Sequence, residues 1–179
     1  MLLAGENYLS IDIHKFVRFL ILRDEGKPTP LKDFVIVDVN DPPQYAKEHI
    51  ITAQHFNRFL LSRSHFETPL LADARLENRT LVIYGESANT VTAALHQRGY
   101  SAVFLCGTIP YFKSFYPKGL TTKKSASAFD IPTLEKALEA KIASDRGGRL
   151  WRSTSASRIR SVSSKKSSST TKSKAPWKF

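Results

Sequence analysis

The sequence predicts an α/β domain with a mainly parallel five-stranded sheet flanked by helices, followed by a disordered basic C-terminal tail. The run at 34–39 is apolar almost without interruption, which is typical of a strand covered on both faces. Other short apolar runs alternate with helical patterns, and such alternation gives a mainly parallel sheet. Residues 147–179 are rich in Ser, Lys and Arg, so they bury too little apolar surface to offset the entropy of ordering.

The elements can be assigned in chain order. A short strand near 9–11 leads into a helix over 14–23, which is apolar on more than one face, as expected for a layer against a sheet. Gly26, Pro28 and Pro30 end that helix before the strand at 34–39. The remaining predicted elements are a short helix at 44–47, a strand at 54–56, a helix at 65–75, a strand at 80–84, a helix at 90–99 and a strand at 102–105.

A further helix is predicted at 130–146, after the last strand. Asp130 offers a polar cap, Pro132 fits the first turn, and Gly147-Gly148 is expected to end the helix. Four apolar side chains recur on one face, namely Ile131, Leu134, Leu138 and Ile142. That stripe either packs against the domain or docks a partner, and the pattern leaves both interpretations open.

Positive charge is concentrated at the C-terminal end. The formal net charge is +11, and residues 142–179 contain ten Lys and Arg against one Asp. A polycation of this kind is either a solubilising appendage or a binding segment for an anionic polymer, and we favour the second interpretation. The cations assigned to partner binding are Arg149, Arg152, Arg158, Arg160, Lys165, Lys166, Lys172, Lys174 and Lys178.

Composition argues against several classes of protein. A chain of 179 residues suits one sizeable core, and a single cysteine fits a reducing compartment without an internal disulfide. Glu6 comes too early for the apolar run of a signal peptide, and no stretch is long enough to span a membrane. The five histidines show no metal-ligand spacing, so we expect a cytosolic or nuclear protein without metal or cofactor.

Four short segments carry a family resemblance through their order and spacing. They are Val37-Asp38-Val39, Tyr45-Ala46-Lys47-Glu48-His49-Ile50-Ile51-Thr52-Ala53, the loop Gly85-Glu86-Ser87-Ala88-Asn89-Thr90, and Leu105-Cys106-Gly107. Together they resemble the rhodanese-like domains over about residues 9–120, and we assign that domain to 1–124. The resemblance implies structural roles for Asp38 at a strand end, for His49 in a turn and for Gly107 after the last strand. Glu48 and Thr52 replace two glycines of the family's turn, which implies that the turn is rebuilt locally.

The same resemblance implies that this loop cannot carry out the catalytic reaction of active relatives. In active relatives a cysteine follows the strand, and here Gly85 occupies that position. Only a thiolate can form the persulfide or phosphocysteine intermediate. Thr90 stands where an arginine usually closes the loop, and Glu86 adds a carboxylate to a loop that should hold an anion. We therefore predict that this protein is not an enzyme.

Two other nucleophiles deserve consideration. Ser87 lies in the loop, but no histidine lies nearby in sequence to act as its base. Cys106 sits where a strand meets a turn and is interpreted as a small core residue. A residual sulfurtransferase or phosphatase that uses an unconventional nucleophile remains the alternative prediction.

A second, narrower resemblance concerns Phe115-Tyr116-Pro117-Lys118-Gly119-Leu120-Thr121-Thr122. It is similar to the segment that closes the rhodanese domain in the family of 41-kDa centrosomal proteins, whose loop also lacks the cysteine. This resemblance implies a non-catalytic scaffold of the centrosome, basal body or cilium, with tubulin or microtubules and a tubulin polyglutamylase as partners. The basic tail would then contact microtubules, with nucleic acid as the less favoured polyanion, since the chain lacks a base-reading motif.

Overall fold

The computed structural model describes residues 10–31, 33–124 and 126–156, and for 147–156 only the backbone. The strands are β1 (Ser10–Ile11), β2 (Phe34–Asp38), β3 (His49–Ile50), β4 (Gln54–His55), β5 (Thr80–Tyr84), β6 (Ala102–Leu105) and β7 (Thr121–Thr122). The helices are α1 (Ile13–Asp24), α2 (Pro42–Lys47), α3 (Pro69–Leu76), α4 (Ala88–Gln97), α5 (Ile109–Phe115) and α6 (Ile131–Ala156). A short 3₁₀ helix covers Arg58–Ser62.

The predicted five-stranded parallel sheet is confirmed. Its strand order is β1-β6-β5-β2-β4, and every neighbouring pair is parallel. The longest pairing joins β2 to β5, with Asp38 opposite Tyr84 at the carboxyl end. That pairing brings the loop after β5 next to the turn after β2. The sequence did not predict α5. It also did not predict the small antiparallel pair of β3 and β7, two strands of only two residues each.

Helices cover both faces of the sheet, and the two faces have separate cores. Alternate residues of β5 divide between them: Val82 and Tyr84 face one core, whereas Leu81 and Ile83 face the other. Helices α1, α5 and the start of α6 pack on the first face, and α3 and α4 pack on the second. The near-continuous apolar character of β2 and β5 follows from burial on both sides.

The start of α3 corrects the predicted helix at 65–75. The helix begins at Pro69, with Thr68 in an extended conformation before it. The residue that precedes a proline is disfavoured in the helical region, whereas proline fits the first turn of a helix. Residues 65–68 therefore belong to the preceding connection.

Helix α6 corrects two predictions at the C-terminal end. Leu134 is fully buried in the first core, and the described residues up to Ile142 belong to one compact unit, so the start of α6 is part of the domain assigned to 1–124. The helix also passes through Gly147-Gly148 and ends at Ala156. Each glycine costs about 1 kcal/mol in a helix interior, which weakens a helix without forbidding it. The predicted tail therefore begins with helix, and 157–179 lie outside the described residues, as do 1–9.

Candidate functional site

The loop after β5 makes a tight turn into α4. Gly85 has a φ of +114° and Ser87 a φ of +58°. The N–H of Ala88 donates to the carbonyl oxygen of Gly85 at 3.3 Å, and α4 begins at Ala88. This loop lies at the carboxyl edge of the sheet, the edge where open α/β proteins bind their ligands.

Asn40 closes this loop from the side of the turn between β2 and α2. A Cβ atom on Gly85 would lie 2.8–2.9 Å from Cγ, Oδ1 and Nδ2 of Asn40, which is closer than such contacts occur. The N–H of Glu86 donates to Oδ1 of Asn40 at 2.9 Å. The N–H of Thr90 likewise donates to Oδ1 of Asn89 at 2.8 Å. Two loop amides that could face an anion are thus satisfied by side-chain oxygens of the chain itself.

Glu86 points toward Arg58. Its Oε2 lies 3.2 Å from Nη2 of Arg58, which also pairs with Asp41 at 3.2 Å. Nη1 of Arg58 donates to the carbonyl oxygen of Val39 at 3.1 Å. The Arg58 side chain is only 16% exposed, so these contacts are partly shielded from water. Arg58 therefore ties the β2–α2 turn to the loop, a role that sequence reasoning missed.

Asp38 lies fully buried beneath the loop, at the end of β2. Its Oδ1 accepts the N–H of Asn40 at 2.8 Å, and its Oδ2 has no hydrogen-bond partner among the described residues. Burial raises the pKa of Asp38, although the side chains of Tyr84 and Asn40 partly oppose that rise. Burial and the charge of Asp38 raise the pKa of Tyr84, whose hydroxyl accepts the N–H of Ile50 at 2.9 Å.

We expect Asp38→Ala to lower the free energy of unfolding by about 1–3 kcal/mol, because it leaves the N–H of Asn40 without its acceptor. The ionised carboxylate is disfavoured in the folded state. The stability that Asp38 contributes is therefore largest below its unfolded-state pKa of 3.8, and it is lost as the pH rises through the raised pKa of the folded state. Urea unfolding at about pH 4 and about pH 7 measures both effects, with Asp38→Asn as the uncharged control. A melting temperature of Asp38→Ala equal to the wild type would contradict this role.

His49 lies in the turn that leads out of α2. It is 7% exposed, its Nδ1 donates to the carbonyl oxygen of Tyr45 at 2.9 Å, and its ring stacks on Tyr45 with centroids 4.3 Å apart. Glu48 is extended with a φ of −167°, so that position does not require glycine. Thr52 has a φ of +65°, and this replacement therefore retains a backbone conformation that favours glycine.

Gly107 lies after β6, where the chain turns into α5. Its φ is +122°, and a Cβ atom there would lie 2.6 Å from Cδ1 of Tyr111 and 2.7 Å from Cε1 of Phe112. Phe112 is fully buried. Glycine at this position therefore permits the close packing of α5 on the sheet.

Neither alternative nucleophile is activated. The Ser87 side chain is exposed and makes no hydrogen bond to a described residue, so it has no adjacent base. Cys106 is half-buried, and burial, together with the charge of Asp12, raises the pKa of its thiol, although Ser10 partly opposes this. The thiol form, which is the poor nucleophile, is therefore favoured at Cys106.

The described part of the chain contains neither a metal-binding cluster nor a membrane-spanning helix. Its His, Cys, Asp and Glu residues form no group of three or more that could hold a metal ion. None of its helices combines the length and the apolar character that crossing a membrane requires. The expectation that the protein uses no metal or cofactor stays a prediction.

A pocket of about 500 Å³ opens beside the loop. Four segments line it: the turn that carries Asn40, helix α2, the loop at Glu86, and the start of α5. The closed loop and the pocket together form the candidate binding site.

Known proteins resemble this chain in sequence over most of the folded domain. A family model described as the rhodanese-like domain matches residues 22–112. The chain is 33% identical over 101 residues to the thiosulfate sulfurtransferase GlpE of Pseudomonas entomophila, covering 55% of this chain and 81% of that protein. It is 28% identical over 102 residues to the centrosomal protein of 41 kDa B of Xenopus laevis, covering 54% of this chain but only 28% of that protein.

A solved structure shows the same fold. It is Ygr203w of Saccharomyces cerevisiae, described as a homolog of single-domain rhodanese and of the Cdc25 phosphatase catalytic domain. The TM-score is 0.50 at 19% identity, and the match covers 66% of this chain and 93% of that one.

Proposed function

This chain belongs to the family of rhodanese-like domains, and we propose that within that family it is a non-catalytic binding module. One observation carries the proposal. The side chain of Asn40 fills the space in which a Cβ on Gly85 would lie, and it accepts the N–H of Glu86. A side chain at position 85 would therefore require Asn40 to move, and the N–H of Glu86 would then lose its acceptor.

The proposed place of action is the centrosome, the basal body or the cilium. The similarity to the Xenopus centrosomal protein supports this, although the matched region spans only 28% of that relative. In the proposal, the folded domain holds a protein partner, such as a tubulin polyglutamylase, and supports its transport. The cations from Arg149 to Lys178 contact microtubules.

A residual enzyme is the second candidate, and the 33% identity to the relative named thiosulfate sulfurtransferase favours it. Such an enzyme would need a sulfur acceptor, for which Cys106 is the one thiol in the sequence. The raised pKa of that thiol argues against this role.

We expect the tagged full-length chain to concentrate at centrioles or basal bodies in a ciliated cell, because the proposed partners are concentrated there. The measurement is the overlap of the tag with a centriole marker by fluorescence microscopy. The tag alone is the control for non-specific accumulation. An even distribution of the full-length chain through the cytoplasm would contradict the centrosomal assignment.

A further inference from the structure

A second groove, of about 400 Å³, lies between helix α4 and the short 3₁₀ helix at Arg58–Ser62. Two contacts show how these helices run relative to each other. Nη2 of Arg58 lies 3.2 Å from Oε2 of Glu86, which comes just before α4. Nη2 of Arg98, the residue after α4, donates to the carbonyl oxygen of Leu61 at 2.9 Å. The groove therefore follows α4 from its first turn to its last.

The middle of this groove is apolar and has a small residue at its centre. Thr90, Ala94 and Arg98 line it at intervals of four residues, which places them on one ridge of α4. Because Ala94 is small, the backbone of another helix can approach this ridge closely. Phe59 and Leu61 line the opposite wall, and the Phe59 side chain is 63% exposed. An exposed aromatic residue beside an apolar groove is typical of a protein interface.

The two ends of the groove carry opposite charge. At the start of α4, one Arg58 cation serves two carboxylates, since both Asp41 and Glu86 lie 3.2 Å from its Nη2. One negative charge is therefore left over at that end. At the other end, Arg98 pairs with no carboxylate within the described ranges, and its guanidinium lies 4.3 Å from the ring centroid of Phe66. One positive charge is left over there.

A surface of this kind is complementary to itself. Rotation of a second copy by 180° brings the positive end of each groove to the negative end of the other. With the rotation axis at Ala94, Arg98 lies opposite Thr90 of the second copy, which is four residues, or about 6 Å, along the helix from Glu86. Side chains four residues apart on a helix interact over such a distance. The exposed Phe59 of each copy then covers apolar surface of the other.

We propose that the face formed by α4 and the 3₁₀ helix is the interface of a symmetric dimer, in which Arg98 of each copy pairs with Glu86 of the other. The inference rests on this surface and does not depend on whether the domain is catalytic. A dimer also carries two copies of the basic C-terminal segment, and two linked segments bind a polyanion more tightly than one.

The test is sedimentation equilibrium of the full chain at about 0.15 M salt and at protein concentrations up to about 1 mM. We expect a monomer–dimer equilibrium. Arg98→Glu and Glu86→Arg each place like charges at both contacts of the dimer, so each should weaken dimerisation at least tenfold. An equimolar mixture of the two variants pairs opposite charges at both contacts and should form dimers as tightly as the wild type.

The apolar part of the interface has its own pair of variants. Phe59→Ala should weaken dimerisation about tenfold, because it removes the exposed aromatic contact. Leu76→Ala on α3 removes a side chain that is 84% exposed and lies outside the groove, so it should have no effect. Lys15→Glu on α1 is the control for the change in net charge made by Arg98→Glu, and it should also leave dimerisation unchanged.

Urea unfolding of each variant shows that it is folded before the mixture is examined. Glu86→Arg also removes the ion pair with Arg58. If it does not fold, Arg98→Glu and Phe59→Ala decide the outcome against their two controls. A wild-type chain that stays monomeric up to about 1 mM, a mixture of folded variants that stays monomeric, or equal weakening by a variant and its control would each overturn this inference.

Discussion

The Gly85→Cys protein is expected to be less stable than the wild type by about 2–4 kcal/mol and to gain no sulfurtransferase activity. Two causes add. Position 85 has a φ of +114°, a backbone conformation that residues other than glycine rarely adopt. In addition, the new Cβ would lie 2.8–2.9 Å from the amide group of Asn40. Asn40 must move, and the N–H of Glu86 then loses its acceptor. Urea unfolding and a thiosulfate:cyanide assay measure the two outcomes.

Gly85→Ala is the matched control, because it adds the same Cβ without the thiol and should lose similar stability. The double variant Asn40→Gly/Gly85→Cys removes the steric conflict, so we expect it to be more stable than the two single changes predict by about 1 kcal/mol or more. Strict additivity, or wild-type stability of Gly85→Cys, would show that Asn40 does not fill the space beside Gly85.

Removal of residues 149–179 is expected to abolish co-sedimentation with microtubules. The removed segment carries nine Lys and Arg residues, whose weak contacts with an acidic polymer add together. Binding of the full chain should therefore weaken steeply as the salt rises above about 0.15 M, where the Debye length is about 8 Å. Microtubules with more glutamate on their tails should bind better, because each glutamate adds a negative charge.

Two controls separate charge from folding and from partner identity. Replacing the nine cations by glutamine keeps the length of the chain and should have the same effect as the deletion, while the unit that ends at Ile142 remains. Microtubules stripped of their acidic tails by subtilisin should bind weakly. Equal binding to stripped and intact microtubules contradicts the electrostatic account, and exclusive binding to nucleic acid would move the protein to another functional class.

The sheet could be predicted from the sequence because its signals are local. The apolar runs of β2, β5 and β6 and the helical patterns between them each lie within a few residues, and parallel pairing follows from their alternation. Local signals also show where prediction failed. Pro69 disfavours a helical conformation at the residue before it, so α3 begins at Pro69 and not at residue 65 as predicted. The two residues of β3 or of β7 are too few to form a pattern.

The closing of the loop could not be predicted, because it depends on contacts between residues far apart in the chain. Asn40 is visible in the sequence only as a residue that follows Val39, and nothing local indicates that its amide meets Gly85. The ion pair of Arg58 with Glu86 is equally remote. The first contact follows from the parallel pairing of β2 with β5, which places their carboxyl ends side by side. The second also needs the pairing of β2 with β4, because Arg58 follows β4. The loop contains no cysteine, and the fold shows that the amide group of Asn40 fills the space beside Gly85.

The central claim, that this rhodanese-like domain is not catalytic, is tested most directly by steady-state thiosulfate:cyanide sulfurtransferase activity of the unmodified full chain. The GlpE protein of Pseudomonas entomophila, assayed alongside, serves as the positive control. We predict no thiocyanate formation above buffer, because position 85 carries no thiol and the pKa of Cys106 is raised. Robust turnover that Cys106→Ser abolishes would contradict the account.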